Sequence, residues 1–501
     1  MKPIAFALAL LVCTATPYAQ DVKTKLNQYF SALRENQQFN GNILVVEKGK
    51  TIYEKSFGFA DFEHKELNNK NTIFPVASVS KTITATAILQ LAQAGKLKVT
   101  DPVVKHLPDF PYPAITIRHL LSHTSGLPPY NAYFDSTKNA NPGKIFTNAD
   151  FMNGLVKNTK PLLYQPGERG NYDNINFIVL AMIVEKHSGL TYDNYVKKYI
   201  LQPAGMTHTR FSSLMQYAQS EKGFAFPYLQ PRMYSDSMIK ANTVSYIVSY
   251  WKAYNFHGFG DYTSNTHDLL KYDKAYGKLL NKELLNEAYT PVKLNNGKNN
   301  PGNFALGWEI GEDSSMGKIV YHAGAATGLS CVLIRNISKE QTIILFDNTK
   351  TNAQEMGMNA LKILNGIDVP HPKKSITKIY AKVLLKNGAD AARDTLNRLR
   401  KDTLNYFLSE DEMNLLGYNF MGGVNNPNPF RFPEEHKYKE AIETFKLNME
   451  IFPGSWNVYD SYGEALLVVG QKEEAIKMYK KSIELNPNNE GGKKVLEELA
   501  K

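Results

Sequence analysis

Apolar residues along this chain fall into strand-like runs near both ends of the first 366 residues, with helical stripes between them. Asn42 to Glu47 and Thr51 to Phe57 are β-rich runs on either side of Lys48-Gly49-Lys50, which predicts a hairpin. Phe304 to Ile310, Lys318 to His322, Leu329 to Arg335 and Thr342 to Phe346 read as four further strands with short connections. In the middle, Ile83, Ala87 and Leu91 share one helical stripe that stops at Gly95, and Ile175 to His187 is an apolar helix that stops at Gly189. Early and late strands flanking a helical middle predict an α/β domain built on one antiparallel sheet with helices around it.

The two ends read differently. Lys2 followed by the compact apolar stretch Ile4 to Ala15 predicts a secretory signal over residues 1–20, cut near Ala19 or Gln20. That stretch is too short to span a bilayer comfortably, and no later segment is long and apolar enough. A sheet domain over 21–366 is followed by a linker at 367–375 containing Asp368-Val369-Pro370-His371-Pro372. Over 376–501, Ala441, Ile442, Phe445, Ile451 and Pro453 recur as Ala475, Ile476, Tyr479, Leu485 and Pro487, each 34 residues on. That period marks the tetratricopeptide repeat, so an all-α repeat domain is expected, with a Pro/Gly/Asn-rich insertion at Gly422 to Pro433.

Composition narrows the classes. The chain has 501 residues, is 43% apolar and 21% charged, and carries a net charge of +10. These proportions exclude a mainly disordered chain and a polytopic membrane protein. Residues 367–501 hold 20 basic and 20 acidic side chains, so all of the net charge belongs to the first 366 residues. Such a balance suits an anionic polymer or acidic substrate, or is only a soluble surface. No Lys/Arg-rich run, RNA-binding signature or zinc-finger spacing points to nucleic acid. Two cysteines, Cys13 and Cys331, exclude a disulfide framework, and Cys331 falls in a strand as a small buried residue. No His/Cys/Asp/Glu spacing indicates a metal, and no cofactor is expected.

Three short motifs carry the candidate chemistry. Ser-x-x-Lys occurs five times, at Ser78, Ser237, Ser249, Ser315 and Ser375, and at Ser78 it opens a strong helix pattern. There the backbone N–H groups favour negative charge on the serine, and Lys81 lies one turn on along the same face. A buried lysine of depressed pKa can take the serine proton; the alternative is that Ser78 merely caps the helix. Tyr172-Asp173-Asn174 follows a turn cluster and precedes an apolar helix. A tyrosine near a buried lysine can serve as a base, and an Asn amide can hold lysine or substrate; the alternative is an ordinary loop tyrosine. The second Tyr-Asp-Asn, at Tyr192, reads as packing. At His322-Ala323-Gly324-Ala325, small residues at a strand end let a substrate backbone approach, and the N–H of Ala325 with that of Ser78 can form an oxyanion hole; the alternative is that His322 is a hydrogen-bonded structural histidine. His119 and His123 are read as structural, since no Gly-x-Ser-x-Gly elbow accompanies them. Gly258-Phe259-Gly260-Asp261 is expected to shape a cleft rim, and Ser264 to cap a helix.

In this order the three motifs resemble the serine β-lactamase and penicillin-binding protein superfamily, in its class C β-lactamase-like branch. Gly41 to Val46, Ala94 to Leu97, Asp101-Pro102, Thr116 to Leu127, Phe304 to Trp308 and Phe346-Asp347-Asn348 extend the likeness over roughly Leu26 to Gly366. The resemblance implies a sheet domain with a helical subdomain and a cleft between them. It makes Ser78 the acylated nucleophile, Lys81 and Tyr172 the general-base pair, and Asn174, His322, Gly324 and Ala325 substrate-binding residues. His322 departs from the pattern: β-lactamases usually carry lysine there, a fixed cation for the β-lactam carboxylate, whereas histidine is mostly neutral at pH 7. The expected activity is therefore an exported, periplasmic or secreted serine hydrolase acting on ester, amide or D-amino-acid peptide substrates. A β-lactamase or D,D-peptidase is the alternative within the class. A non-catalytic scaffold that binds a protein or peptide through its repeats is the alternative outside it.

Overall fold

The structure, a computed structural model, describes residues 17–134, 143–212, 222–244, 254–349, 351–422 and 436–500, with the backbone alone for 17–20. The apolar stretch Ile4 to Ala15, Cys13, and nearly all of the Gly422 to Pro433 insertion lie outside these residues. Two compact units divide the chain: residues 1–226 with 250–370, and residues 227–249 with 371–501.

The first unit is built on six strands: β1 (Gly41–Glu47), β2 (Lys50–Phe57), β3 (Glu309–Asp313), β4 (Gly317–Ala326), β5 (Leu329–Asn336) and β6 (Gln341–Asp347). Their order is β3-β4-β5-β6-β1-β2, antiparallel throughout. The hairpin closes at Lys48 and Gly49, both with positive φ. Early and late strands join where Gly41 pairs with Asp347 and Ile43 with Leu345. Around the sheet lie α1 (Pro17–Glu35), α2 (Ser80–Gln93), α3 (Ile175–Ser188), α4 (Thr266–Leu279) and α5 (Ala353–Leu364).

Strand β1 is apolar at consecutive positions because both its faces are covered. Ile43 and Val45 join Val332, Ile334, Ile343 and Leu345 beneath α1 and α5. Leu44 and Val46 face the opposite core with Leu333, Ile344 and Phe346, where α2, α3 and α4 supply Ile83, Ile178 and Leu269.

Two expectations shift. Phe304 to Trp308 is not strand; the ladder of β3 starts at Glu309. The run turns instead, with Gly307 at φ 81° and its N–H on Leu121 O at 3.0 Å, so that Leu306 and Trp308 plug the core. Ser264 does not cap α4: it ends a short strand, and Asn265 accepts the Asp268 N–H at 2.8 Å. No helix among the described residues is long and apolar enough to cross a membrane.

The second unit contains α6 (Ile376–Asn387), α7 (Ala389–Leu399), α8 (Glu410–Phe420), α9 (Tyr438–Ile451), α10 (Trp456–Val468), α11 (Lys472–Leu485) and α12 (Glu490–Leu499). One contact repeats. Gly417 of α8 lies against the Phe445 ring of α9, and Gly463 of α10 against the Tyr479 ring of α11. Ala441 and Ala475 are fully buried at matching places. Segment 227–249, contributed from the middle of the sheet domain's sequence, belongs to this unit. Tyr234 stacks on Phe420 with centroids 5.0 Å apart, the Met233 N–H donates to Asn419 Oδ1 at 3.2 Å, and Asp236 pairs with Lys382.

Candidate active site

Helix α2 is entered through a single 3₁₀ turn, Ala77–Val79, with Ser78 at its centre. Neither this turn nor α2 is capped by a side chain, so Ser78 is not engaged as an N-cap. Ala77, immediately before it, has φ 42°, a conformation that costs a non-glycine residue about 1–3 kcal/mol and is typical of functional turns. Ser78 is partly exposed, while Lys81 is fully buried.

Three groups surround the Lys81 amine. Nζ lies 3.0 Å from Ser78 Oγ, 2.8 Å from Asn174 Oδ1 and 2.9 Å from Phe259 O. The rings of Tyr172, Phe259 and Phe177 wall it in, with centroids at 4.8, 5.5 and 5.7 Å. Burial lowers the Lys81 pKa to about 7, against the pull of Asp261 and Asp173. A neutral amine has two N–H groups and one lone pair. Given the three neighbours, the N–H groups go to Asn174 and Phe259, and the lone pair is left for the Ser78 hydroxyl.

Tyr172 sits on the loop leading into α3. It is 40% exposed as a residue, yet its hydroxyl reaches Ser78, and burial of the phenol raises its pKa above the ordinary 10. Tyr172 is thus a protonated phenol at neutral pH. The structure therefore brings Ser78, Lys81, Tyr172 and Asn174 into one cluster. Tyr192, the second Tyr-Asp-Asn, is fully buried, with its hydroxyl 2.6 Å from Thr84 Oγ1.

Strand β4 forms the opposite wall. Its pairing with β3 ends at Tyr321, whereas β5 pairs with it as far as Ala326, so His322 to Ala326 have no partner from β3. Gly324 is required there: a Cβ would stand 2.5 Å from Val76 O and 3.2 Å from Ser78 N. Ala325 is exposed. His322 is buried with its ring centroid 6.2 Å from that of Tyr172, and its Nδ1 lies 2.7 Å from Ala323 O. Since that carbonyl only accepts, Nδ1 carries the proton. Burial and the nearby Lys81 charge lower the His322 pKa to about 3, so this position carries no cation. Cys331 lies beneath, buried, with Sγ 3.1 Å from Val76 O.

Several contributors were not read as site residues. The Gly258 to Asp261 segment supplies the Phe259 carbonyl to Lys81, and buried Asp261 holds the segment by accepting N–H bonds from Gly258 at 3.0 Å and Gly260 at 3.2 Å. A backbone acceptor leaves no residue-type signal. His119 caps its short helix with Thr116, as a structural residue does, but His123 lies directly against Tyr172. Among the described residues, one group has potential metal-ligand atoms close together: Asp61, Glu63 and His64. There Asp61 Oδ1 accepts the N–H groups of Glu63 and His64 and Oδ2 meets His64 Nδ1, the geometry of a local turn.

A sheet flanked by helices, with a serine one helical turn from a buried lysine and a tyrosine on the serine, defines a β-lactamase-fold serine hydrolase. The chain belongs to the Beta-lactamase family, whose family model matches residues 26–366. It is 34% identical to "Penicillin-binding protein 4*" of Bacillus subtilis, over 75% of this chain and 86% of that protein. Among solved structures it resembles a penicillin binding protein from Bacillus halodurans, at 25% identity and TM-score 0.55 over 68% of this chain and 99% of that one. A class C β-lactamase shares the fold at 19% identity and TM-score 0.54, over 70% of this chain and all of that one.

Proposed function

We propose that the protein is an exported serine hydrolase that works through an acyl-enzyme on esters, amides or D-amino-acid peptides. The observation carrying this reading is the buried Lys81 amine 3.0 Å from Ser78 Oγ, with Asn174 and Phe259 as its other partners, its pKa lowered to about 7 so that a neutral fraction has its lone pair available to Ser78. Ser78 Oγ attacks the substrate carbonyl carbon as its proton passes to Lys81 Nζ. The N–H groups of Ser78 and Ala325 receive the oxyanion. The tetrahedral centre collapses as the bond to the leaving group breaks, and the proton moves from Lys81 through the Tyr172 hydroxyl to that group. Water then attacks the ester carbonyl with the same groups taking its proton, releasing the acid and restoring Ser78. Asn174 orients Lys81, and Gly324 keeps β4 close.

The site favours substrates without a carboxylate on the leaving side, because His322 is neutral where a lysine would supply a cation. Penicillin binding and D,D-peptidase activity form the second reading, favoured by the names of the relatives. Nitrocefin turnover and labelling by a fluorescent penicillin separate the two. Ser78→Ala should abolish hydrolysis of p-nitrophenyl acetate with the fold unchanged by circular dichroism; undiminished hydrolysis would sink the assignment.

For the second unit, the 34-residue period and the recurring glycine-on-aromatic contact support tetratricopeptide repeats. Their ligand would be a protein or peptide. An extracytoplasmic location rests on the sequence of residues 1–20, and secretion of a reporter fused to that segment tests it.

A further inference from the structure

His123 was set aside in the sequence as a structural histidine. Its surroundings give it a more specific place. Its backbone carbonyl accepts the Asn171 N–H at 2.9 Å, and its Nδ1 accepts the Asp173 N–H at 3.2 Å. One residue therefore ties down the chain immediately before and immediately after Tyr172. Its ring also lies on the phenol, with centroids 4.2 Å apart at 33°. The Asn176 amide, 3.2 Å from the same Nδ1, anchors the imidazole to the first turn of α3.

This arrangement fixes the tautomer. Nδ1 accepts from a backbone N–H, so in the neutral ring the proton sits on Nε2. Nε2 is buried and has no hydrogen-bond partner. A buried polar group left unpaired in this way costs about 1–3 kcal/mol and calls for an explanation. The backbone of His123 is also in the left-handed region, at φ 57°, where Asn or Gly would sit more comfortably. Packing alone would be served better by an apolar ring or a smaller residue.

We infer that His123 is a positioning residue for Tyr172, holding the phenol on Ser78 by bonding the backbone on both sides of it and packing its ring against it. The inference rests on the reading of Tyr172 as the proton relay given above. Burial and the positive charge of Lys81 keep the imidazole well below its ordinary pKa. It therefore stays neutral while Lys81 titrates and leaves the relay's charge balance unaltered.

The carbonyl bond to Asn171 survives any substitution, whereas the Nδ1 acceptor does not, which makes the test specific. Asn places Oδ1 where Nδ1 stands and tolerates the left-handed backbone. Gly relieves the backbone but offers no acceptor, and Ala does neither. With p-nitrophenyl acetate, His123→Gly and His123→Ala should lower kcat by about 10-fold or more while KM changes less than about two-fold. His123→Asn should recover kcat to within about three-fold of the parent. If His123→Ala does not fold, the comparison of Asn with Gly decides. A Gly variant with the parental kcat, or an Asn variant as impaired as Gly, overturns the inference. Ser78→Ala, run alongside, keeps the two levels apart. If it remains active, the hydrolase reading fails; if it is inactive while His123→Gly is unimpaired, only the positioning role fails.

Discussion

Lys81 carries the proton chemistry because its amine has three hydrogen-bond neighbours and none of them is a carboxylate. Burial without a direct counter-charge disfavours the ammonium form, and its pKa falls to about 7. The sign for activity follows: below that value Lys81 is protonated and cannot accept the serine proton, and above it the amine is free. The kcat/KM profile for a neutral ester should rise with pH along a limb centred near 7. A profile flat from pH 5 to 9 would contradict this. Lys81→Arg, which substitutes a permanent cation, should lower kcat by about a thousand-fold or more. Ser78 and Lys81 were legible in the sequence because a spacing of three on a helix puts them on one face. Tyr172 and Asn174 were legible from their place before an apolar helix. The Phe259 carbonyl was not, since every residue offers one. His123 was not, because no spacing rule connects it to a tyrosine 49 positions on.

The elements matter through what they bring close to Ser78. Strand β4 can lie against the Ala77–Val79 turn because residue 324 has no side chain. Gly324→Ala would force a Cβ to within 2.5 Å of Val76 O and 2.7 Å of Cys331 Sγ. Overpacking of this kind costs about 1–3 kcal/mol. Because the strain falls on the nucleophile's own turn, kcat/KM should drop by about 10-fold or more, beyond what the lowered Tm explains. The Gly258 to Asp261 segment is held by the Asp261 carboxylate. Asp261→Asn removes a negative charge that favours protonated Lys81. The Lys81 pKa should therefore fall and the limb of the pH profile move to lower pH; a shift to higher pH would refute that electrostatic role. Strands β1, β2, β5 and β6 were readable from continuous or alternating apolar runs. Strand β3 was misplaced because Leu306 and Trp308 follow the alternation of a strand while plugging a core through a glycine turn.

At the scale of the molecule, the chain passes between its two units three times, near residues 226, 249 and 370. Period and composition revealed a helical appendage, read as starting at residue 376 after a linker, but not that segment 227–249 belongs to the same unit. That membership rests on long-range contacts, Tyr234 with Phe420 and Asp236 with Lys382, which no local pattern encodes. A chain ending at Pro370 should leave Met233 and Tyr234 without their helical partners and show increased binding of a hydrophobic dye relative to the full chain. Equal dye binding would mean the segment finds other cover. The basic balance of the first 366 residues predicts faster turnover at low salt of esters with an anionic acyl group and a neutral leaving group than of wholly neutral esters, a preference that fades as salt screens it. The most direct measurement uses the full chain with a fluorophosphonate probe, followed by peptide mass spectrometry at several pH values. The expected result is a single adduct on Ser78, formed faster as pH rises through about 7 and absent from Ser78→Ala; an adduct elsewhere, or none on Ser78, would contradict the acyl-enzyme mechanism.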